Sequence, residues 1–497
     1  MQATYTTVHA TTHTQPKTVP TKTQSSLLLY PKRSRCQPGT NKDKSQKMAK
    51  SNEIDMLHGP LFLKILMFSL PLAASSVLQQ IFNSVDVAVV GHFASKQALA
   101  AVGSNGPVIS LLINLFLGVS MGANVIISNH IGQNDTDSIQ KSIRTIEMVS
   151  VVSGLILMVI GIAAAKPILT LMGTPDDVLP MAIKYLQIYF LSIPFFLVFN
   201  FGAAILRSMG DTRRPLYILV VAGVANAILN LFFVIVLKMG VEGVAIATGI
   251  ANAISAMLII HLLQNEKEPY RIHIRDAKIY WSELKRMLII GIPAGLQGMV
   301  FSISNVLLQS AINSHGADAI AGSAAALNFE YYCYFVICAF NGAAITFIGQ
   351  NYGAGNTERV KRIFWICMGM SIVCCGGLNG LFTWQHKFFL SFFSSDPTVQ
   401  AYGKIRMETV LAFQFIACSY EISASALRGM GKSMQPTILT VFGTCLLRII
   451  WVYAVCPVWT GFGTIMLVYP VSWIATGMMV SIAFYLTARK HMSTRTA

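Results

Sequence analysis

The chain carries one pattern twice. Leu206-Arg207-Ser208-Met209-Gly210, followed by Pro215, returns 221 residues later as Leu427-Arg428-Gly429-Met430-Gly431, followed by Pro436. The same spacing relates Ile131-Gly132-Gln133-Asn134-Asp135 to Tyr352-Gly353-Ala354-Gly355-Asn356, and Ala98-Leu99-Ala100 to Ala319-Ile320-Ala321, while Pro71 and Pro293 match at 222. Matches that keep their order across both halves mean one architectural unit present twice. In an apolar polypeptide, such a duplication is a signature of secondary transporters, whose substrate path runs between the repeats.

The chain is apolar enough for that reading. Hydrophobic residues make up 54%, charged residues only 12%, and mean hydropathy is +0.57, whereas soluble domains carry roughly 25% charged residues. The charges fall between apolar runs of about the ~20 residues that a spanning helix needs. These runs lack the polar-apolar alternation of membrane strands. The expectation is an all-α integral membrane protein with twelve transmembrane helices in two pseudo-symmetric six-helix bundles. The helices are placed at 61–90, 97–127, 138–163, 180–206, 214–237 and 240–263, then at 284–313, 319–350, 358–383, 400–427, 434–456 and 461–487.

This divides the chain into a lobe at 56–263, a polar linker at 264–283 and a second lobe at 284–490. Loops on the linker side hold nineteen Lys and Arg and the opposite loops seven, so the positive-inside bias puts the linker and both termini in the cytoplasm. The net charge of +16 is accounted for by basic loops facing anionic lipid and calls for no nucleic acid. Residues 1–55 are rich in Thr, Ser, Lys, Gln and Pro, with no acidic residue before Asp43. They read as a disordered polar extension, with an organelle transit peptide or a start at Met48 or Met56 as alternatives.

Several chemistries find no residues. The nine cysteines contain no CxxC pair, the ten histidines show no HExxH or paired spacing, and no GxxxxGK(S/T) loop occurs. The expectations are no enzyme, no cofactor, and no metal beyond a coupling ion.

Three groups of residues carry a family resemblance: Leu57-His58-Gly59-Pro60 with Phe68-Ser69-Leu70-Pro71 and the stretch from Gln79 to Asp86; Gly291-Ile292-Pro293-Ala294-Gly295-Leu296-Gln297; and Gly349-Gln350-Asn351-Tyr352 with Glu421 and the Leu427 motif. In order and spacing these resemble multidrug and toxic compound extrusion (MATE) transporters of the bacterial type, over nearly all of residues 56–487. The resemblance implies two six-helix bundles around a central cavity that opens alternately to the two sides. It also implies export of small amphipathic or cationic compounds across a bacterial inner membrane, driven by H⁺ or Na⁺.

Intramembrane carboxylates are functional candidates on their own account, because a charge near the bilayer centre costs about 3 kcal/mol or more. Asp86 is followed by Val87-Ala88-Val89-Val90, with no neighbouring base in sequence. It reads either as a site for a proton or Na⁺ or as an Asp bonded to a helix end. The resemblance places the coupling acid on Asp86 and its polar partners on Asn226, Asn230 and Thr248. Asn226 and Asn230 are four residues apart and share a helix face. Some members of the family have a second acid where Asn230 stands, and residues 289–313 lack the acid that others carry there. Pro71 reads as a hinge responding to Asp86 or as a fixed kink.

In the second half, Arg448 sits in Leu446-Leu447-Arg448-Ile449-Ile450, where a lone cation is costly. A partner in Glu330 or Glu421 is expected, whether for structure or for binding cationic substrate. Gln297, Asn305, Asn313 and Asn341 are further candidates for the cavity or for interhelical hydrogen bonds. The expected partners are lipid and small molecules, and the expected state is a monomer. The rival readings are a lipid-linked oligosaccharide flippase of the same superfamily, which should show a more basic cavity, and an integral membrane enzyme or receptor.

Overall fold

In the computed structural model, which describes residues 53–93 and 96–493, every long element is helical and no strand occurs among the described residues. The first half contains α1 (Leu61–Phe93), α2 (Lys96–Gln133), α3 (Thr136–Leu171), α4 as the pair Leu179–Leu191 and Ile193–Ser208, α5 (Arg213–Val236) and α6 (Val241–Gln264). The second contains α7 (Trp281–Asn313), α8 (Ala317–Gly353), α9 (Thr357–Trp384), α10 (Pro397–Gly429), α11 (Met434–Val455) and α12 (Phe462–Ser493). Eleven of these are individually long and apolar enough to cross a membrane, and α4 makes the twelfth as a broken span. The protein is a multi-pass membrane protein.

The interior departs from the expected straight helices at several points. The fourth helix, expected unbroken over 180–206, bends by 45° between Leu191 and Ile193. Pro194 supplies no N–H at the break, and the Ser192 hydroxyl caps the Tyr189 carbonyl at 2.7 Å. In α10, residues 411–416 tighten into a 3₁₀ segment, and α5 and α11 contain π-helical turns at 232–236, 441–446 and 451–455.

The repeat seen in the sequence is a repeat of local devices. Gly210 and Gly431 end their helices at positive φ (95° and 78°), as do Asn134 and Gly355 (57° and 77°), the left-handed conformation that favours Gly and Asn at helix C-termini. Asp135 and Asn356 then cap the next helix through their side chains, accepting from the backbone N–H of Ser138 and Arg359. Each pair is 221 residues apart.

Apolar packing forms two cores that largely follow the two halves. Met56, Leu61, Ile65 and Phe68, at the beginning of α1, belong to the second core; Met287 and Ile290, at the beginning of α7, belong to the first. The helices that begin the two halves therefore cross between them at the linker end. Glycines permit the closest approach: a Cβ on Gly118 of α2 would collide with backbone of Gly291 and Gly295 on α7. Gly132 and Gly353 press α2 and α8 together reciprocally, each against a carbonyl of the other helix, Gln350 and Asn129.

Residues 53–55, expected to belong to the polar extension, are held by hydrogen bonds: the Ile54 N–H donates to the Gly210 carbonyl at 3.3 Å, and Asp55 accepts from the backbone N–H of Leu57 and His58. The rest of the expected extension lies outside the described residues.

Candidate functional site

In the first half, α1, α5 and α6 bring four polar side chains together. Asp86 is 9% exposed. Its carboxylate accepts from the Asn230 amide and, at 3.4 Å, from the Thr248 hydroxyl. Asn230 also donates to Asn226 Oδ1 at 3.2 Å, and Asn226 donates to Thr248 at 3.4 Å, so the four close a ring. Among the described residues no cation forms an ion pair with Asp86, and the Asn230 carbonyl oxygen is buried without a partner. A carboxylate held by dipoles alone can take up a proton or a small cation without first breaking an ion pair.

In the second half, the charges pair differently from the expectation. Glu330 is bound by Arg406, at 2.6 and 2.9 Å through Nε and Nη2, and Arg406 also reaches Ser323 at 2.6 Å. Arg406 was one of the seven cations counted in the loops opposite the linker. It is only 2% exposed and lies inside α10. Arg448 has no carboxylate within 4 Å among the described residues; it donates to Asn305 at 3.1 Å and Ser472 at 3.4 Å and lies 4.6 Å from the Tyr469 ring centroid. The expected pairing of Arg448 with Glu330 or Glu421 is thus replaced by amide, hydroxyl and ring contacts. Glu421 instead accepts from Asn341 at 2.8 Å.

Gln297 accepts from Arg428 at 2.7 Å, a second buried cation, which was one of the nineteen counted in the linker-side loops. Arg406, Arg428 and Arg448 are thus all buried in this half. Asn313 is exposed at the end of α7 and bonded to Gln309 at 2.8 Å, apart from these groups. Arg428 had one sequence signal, its place in the duplicated motif; Arg406, Ser323, Tyr469 and Ser472 had none.

Polar bonds between the halves gather toward the linker end. Asn124 donates to Thr346 (3.1 Å), Asn129 to the Gly429 carbonyl (3.3 Å), Gln350 to the Ser208 carbonyl (2.7 Å) and Asn351 to the Met56 carbonyl (3.1 Å). His130 and Glu283 meet at 3.0 Å, both buried, with Ser142 donating to the same carboxylate. In the linker itself, the His273 hydrogen bond holds the exposed Glu268 carboxyl below its usual range. This end is tied shut.

A twelve-span bundle of two related halves, closed at one end and carrying buried polar clusters in each half, defines a membrane transporter rather than an enzyme. The profile of the MatE family matches the chain twice, over residues 71–232 and 293–454. The chain belongs to the MatE family. The probable multidrug resistance protein YpnP of Bacillus subtilis is 27% identical to it, over 79% of this chain and 88% of its own length. A protein named FAD transporter from Shewanella oneidensis is 23% identical over 88% of this chain and 96% of its own. A MATE crystal structure in a bent conformation shares the fold, with a TM-score of 0.82 at 21% identity, covering 89% of this chain and 99% of that one.

Proposed function

We propose that this chain exports small amphipathic or cationic compounds by alternating access, driven by inward flow of H⁺ or Na⁺, in the multidrug-efflux role that the name of YpnP describes. The observation that carries it is Asp86, buried among Asn226, Asn230 and Thr248 with no cationic partner among the described residues. A proton on Asp86 would give the carboxyl an O–H to donate, and the unpartnered Asn230 oxygen is an acceptor nearby. The same oxygen, together with the carboxylate, suits Na⁺, which favours oxygen ligands. Asn230 leaves the site with one acid.

The moving units are the lobes at 56–263 and 284–490, joined by the linker at 264–283. The excess of Lys and Arg on the linker side supports a cytoplasmic linker and cytoplasmic termini in a bacterial inner membrane, with the protein acting as a monomer. Pro71 acts as the hinge. It lies between Phe68, which packs in the second core, and Val89 and Val90, which pack in the first, so a bend there would let α1 follow either lobe. Gln297, Asn305, Asn341, Glu330, Glu421 and Arg448 supply the polar groups of the second lobe, and Asn313 a polar rim.

Purified protein in sealed vesicles tests the reading. An imposed pH gradient or Na⁺ gradient should drive movement of a cationic dye, and the gradient that suffices names the ion. Failure of both gradients to drive transport would overturn it.

A further inference from the structure

Arg448 stands where the twofold repeat puts the first lobe's acid cluster. At the spacing of 222 that relates the ends of the two profile matches, one more than the 221 of the Leu206 and Leu427 motifs that precede these helices, it is the counterpart of Asn226. Asn305 lies one turn before the counterpart of Asp86, which is Leu308, and Ser472 lies two residues past the counterpart of Thr248, which is Pro470. Three corresponding helices, α7, α11 and α12, thus converge on a guanidinium where α1, α5 and α6 converge on a carboxylate.

The surroundings leave that guanidinium short of a counter-charge. Arg448 is 3% exposed, and of the two acids expected to pair with it, Glu330 is taken by Arg406 and Glu421 accepts from Asn341. Tyr469 lies between the two arginines, its ring centroid 5.5 Å from Arg406 and 4.6 Å from Arg448. Arg448 Nε and Nη1 are bonded to Ser472 and Asn305. Nη2 has no hydrogen-bond partner among the described residues and keeps some accessible surface. Arg448 is also carried on four α-helical residues between two π-helical turns, 441–446 and 451–455. Such turns are rare and are frequently found at functional sites.

We propose that Arg448, oriented by Asn305 and Ser472, binds an anionic group, a carboxylate or phosphate, on the transported molecule. A fixed, buried guanidinium with a free N–H edge recognises such groups by charge-assisted hydrogen bonds. The favoured substrates are then amphipathic molecules that carry an acid, alone or with a cation, rather than simple cations. This rests on the reading of the space between the lobes as the substrate path, but the binding test below needs no gradient and succeeds or fails separately from coupled export.

The test uses the full chain in nanodiscs of phosphatidylcholine and two probes, a rhodamine with a free carboxylate and the methyl ester of the same dye, followed by fluorescence anisotropy. Wild type should prefer the carboxylate form. Arg448→Met should weaken the carboxylate form by about tenfold or more, as loss of charged hydrogen bonds implies, with the ester little changed, and Arg448→Lys should fall between. If Arg448→Met does not fold, Asn305→Asp places the missing counter-charge beside the guanidinium and should abolish the preference in a folded protein. Adding phosphatidylglycerol distinguishes the sources of the anion: undiminished dye binding assigns the site to a soluble substrate, and competition that depends on Arg448 assigns it to a lipid headgroup. A wild type that binds neither dye or both alike, or a preference that survives both Arg448→Met and Asn305→Asp, overturns the proposal.

Discussion

Two places in this molecule are built from the same three-helix corner and differ in the sign of their charge. In the first lobe, α1, α5 and α6 surround Asp86 with amides and a hydroxyl; in the second, α7, α11 and α12 surround Arg448 with an amide, a hydroxyl and a tyrosine ring. Neither has an ion-pair partner among the described residues. A short distance from Arg448, the second lobe also contains a fully paired charge, Glu330 with Arg406. Chemistry separates the two kinds of site. A paired charge is satisfied and holds helices in place, while an unpaired one retains the capacity to bind something that comes and goes.

The comparison breaks first at Asp86. Asp86→Asn should abolish gradient-driven export while the protein remains folded, because an amide keeps the size and hydrogen-bonding reach but carries no negative charge. Vesicle transport alongside a thermal melt checks this, and full export by the variant would place coupling elsewhere.

The paired charge should behave in the opposite way. Arg406→Met should lower stability by about 3–5 kcal/mol, since it strands Glu330 in the interior. Adding Glu330→Gln should recover part of that loss in the same melt. Arg448→Met should cost less than Arg406→Met, because it leaves no buried carboxylate behind. Equal losses would mean that Arg448 has a counter-charge after all.

A smaller effect separates two of the contacts at which the lobes meet. Gly118→Ala forces a methyl group into α7 backbone at Gly291 and Gly295 and should destabilise by about 1–3 kcal/mol, the usual range for overpacking. The corresponding contact between α1 and α8 has Ser69, Ala73 and Ser76 at the places of Gly291, Gly295 and Gly298, so it is the looser of the two. The smallest effect is expected at Gly377, where an added Cβ meets nothing within 4 Å: Gly377→Ala should be neutral or stabilise by up to about 1 kcal/mol through helix propensity alone. A melt in which the two glycine variants behave alike would undo the distinction.

Much of this architecture was legible in the chain. Apolar runs show spans because burial in lipid requires every backbone polar group to be bonded within its own helix, which is a property of one segment. The duplicated motifs showed two halves because the same helix-ending glycines and capping residues recur at a fixed spacing. The cluster at Asp86 was legible for a similar reason: a lone acid in an apolar run is conspicuous, and Asn226 and Asn230 share a face by helical periodicity. The family resemblance supplied their meeting with Asp86.

What the sequence left open was which charge meets which. Arg406 lies in a segment with Thr398, Gln400, Lys404 and Glu408, so its local surroundings resemble a loop, and only the packing of α10 against α8 buries it beside Glu330. The absence of a carboxylate at Arg448 was equally invisible, because pairing across helices depends on rotation and depth, to which a one-dimensional pattern is blind. The bend at Ser192 did have a local signal, Pro194, whose missing N–H interrupts the helical ladder; the π-helical turns beside Arg448 had none. Local sequence therefore determined the spans, the repeat and the acid at position 86, since each is set within one helix. Tertiary structure decided which buried charges are satisfied, since that is set only where helices distant in the chain come within a few ångströms of one another.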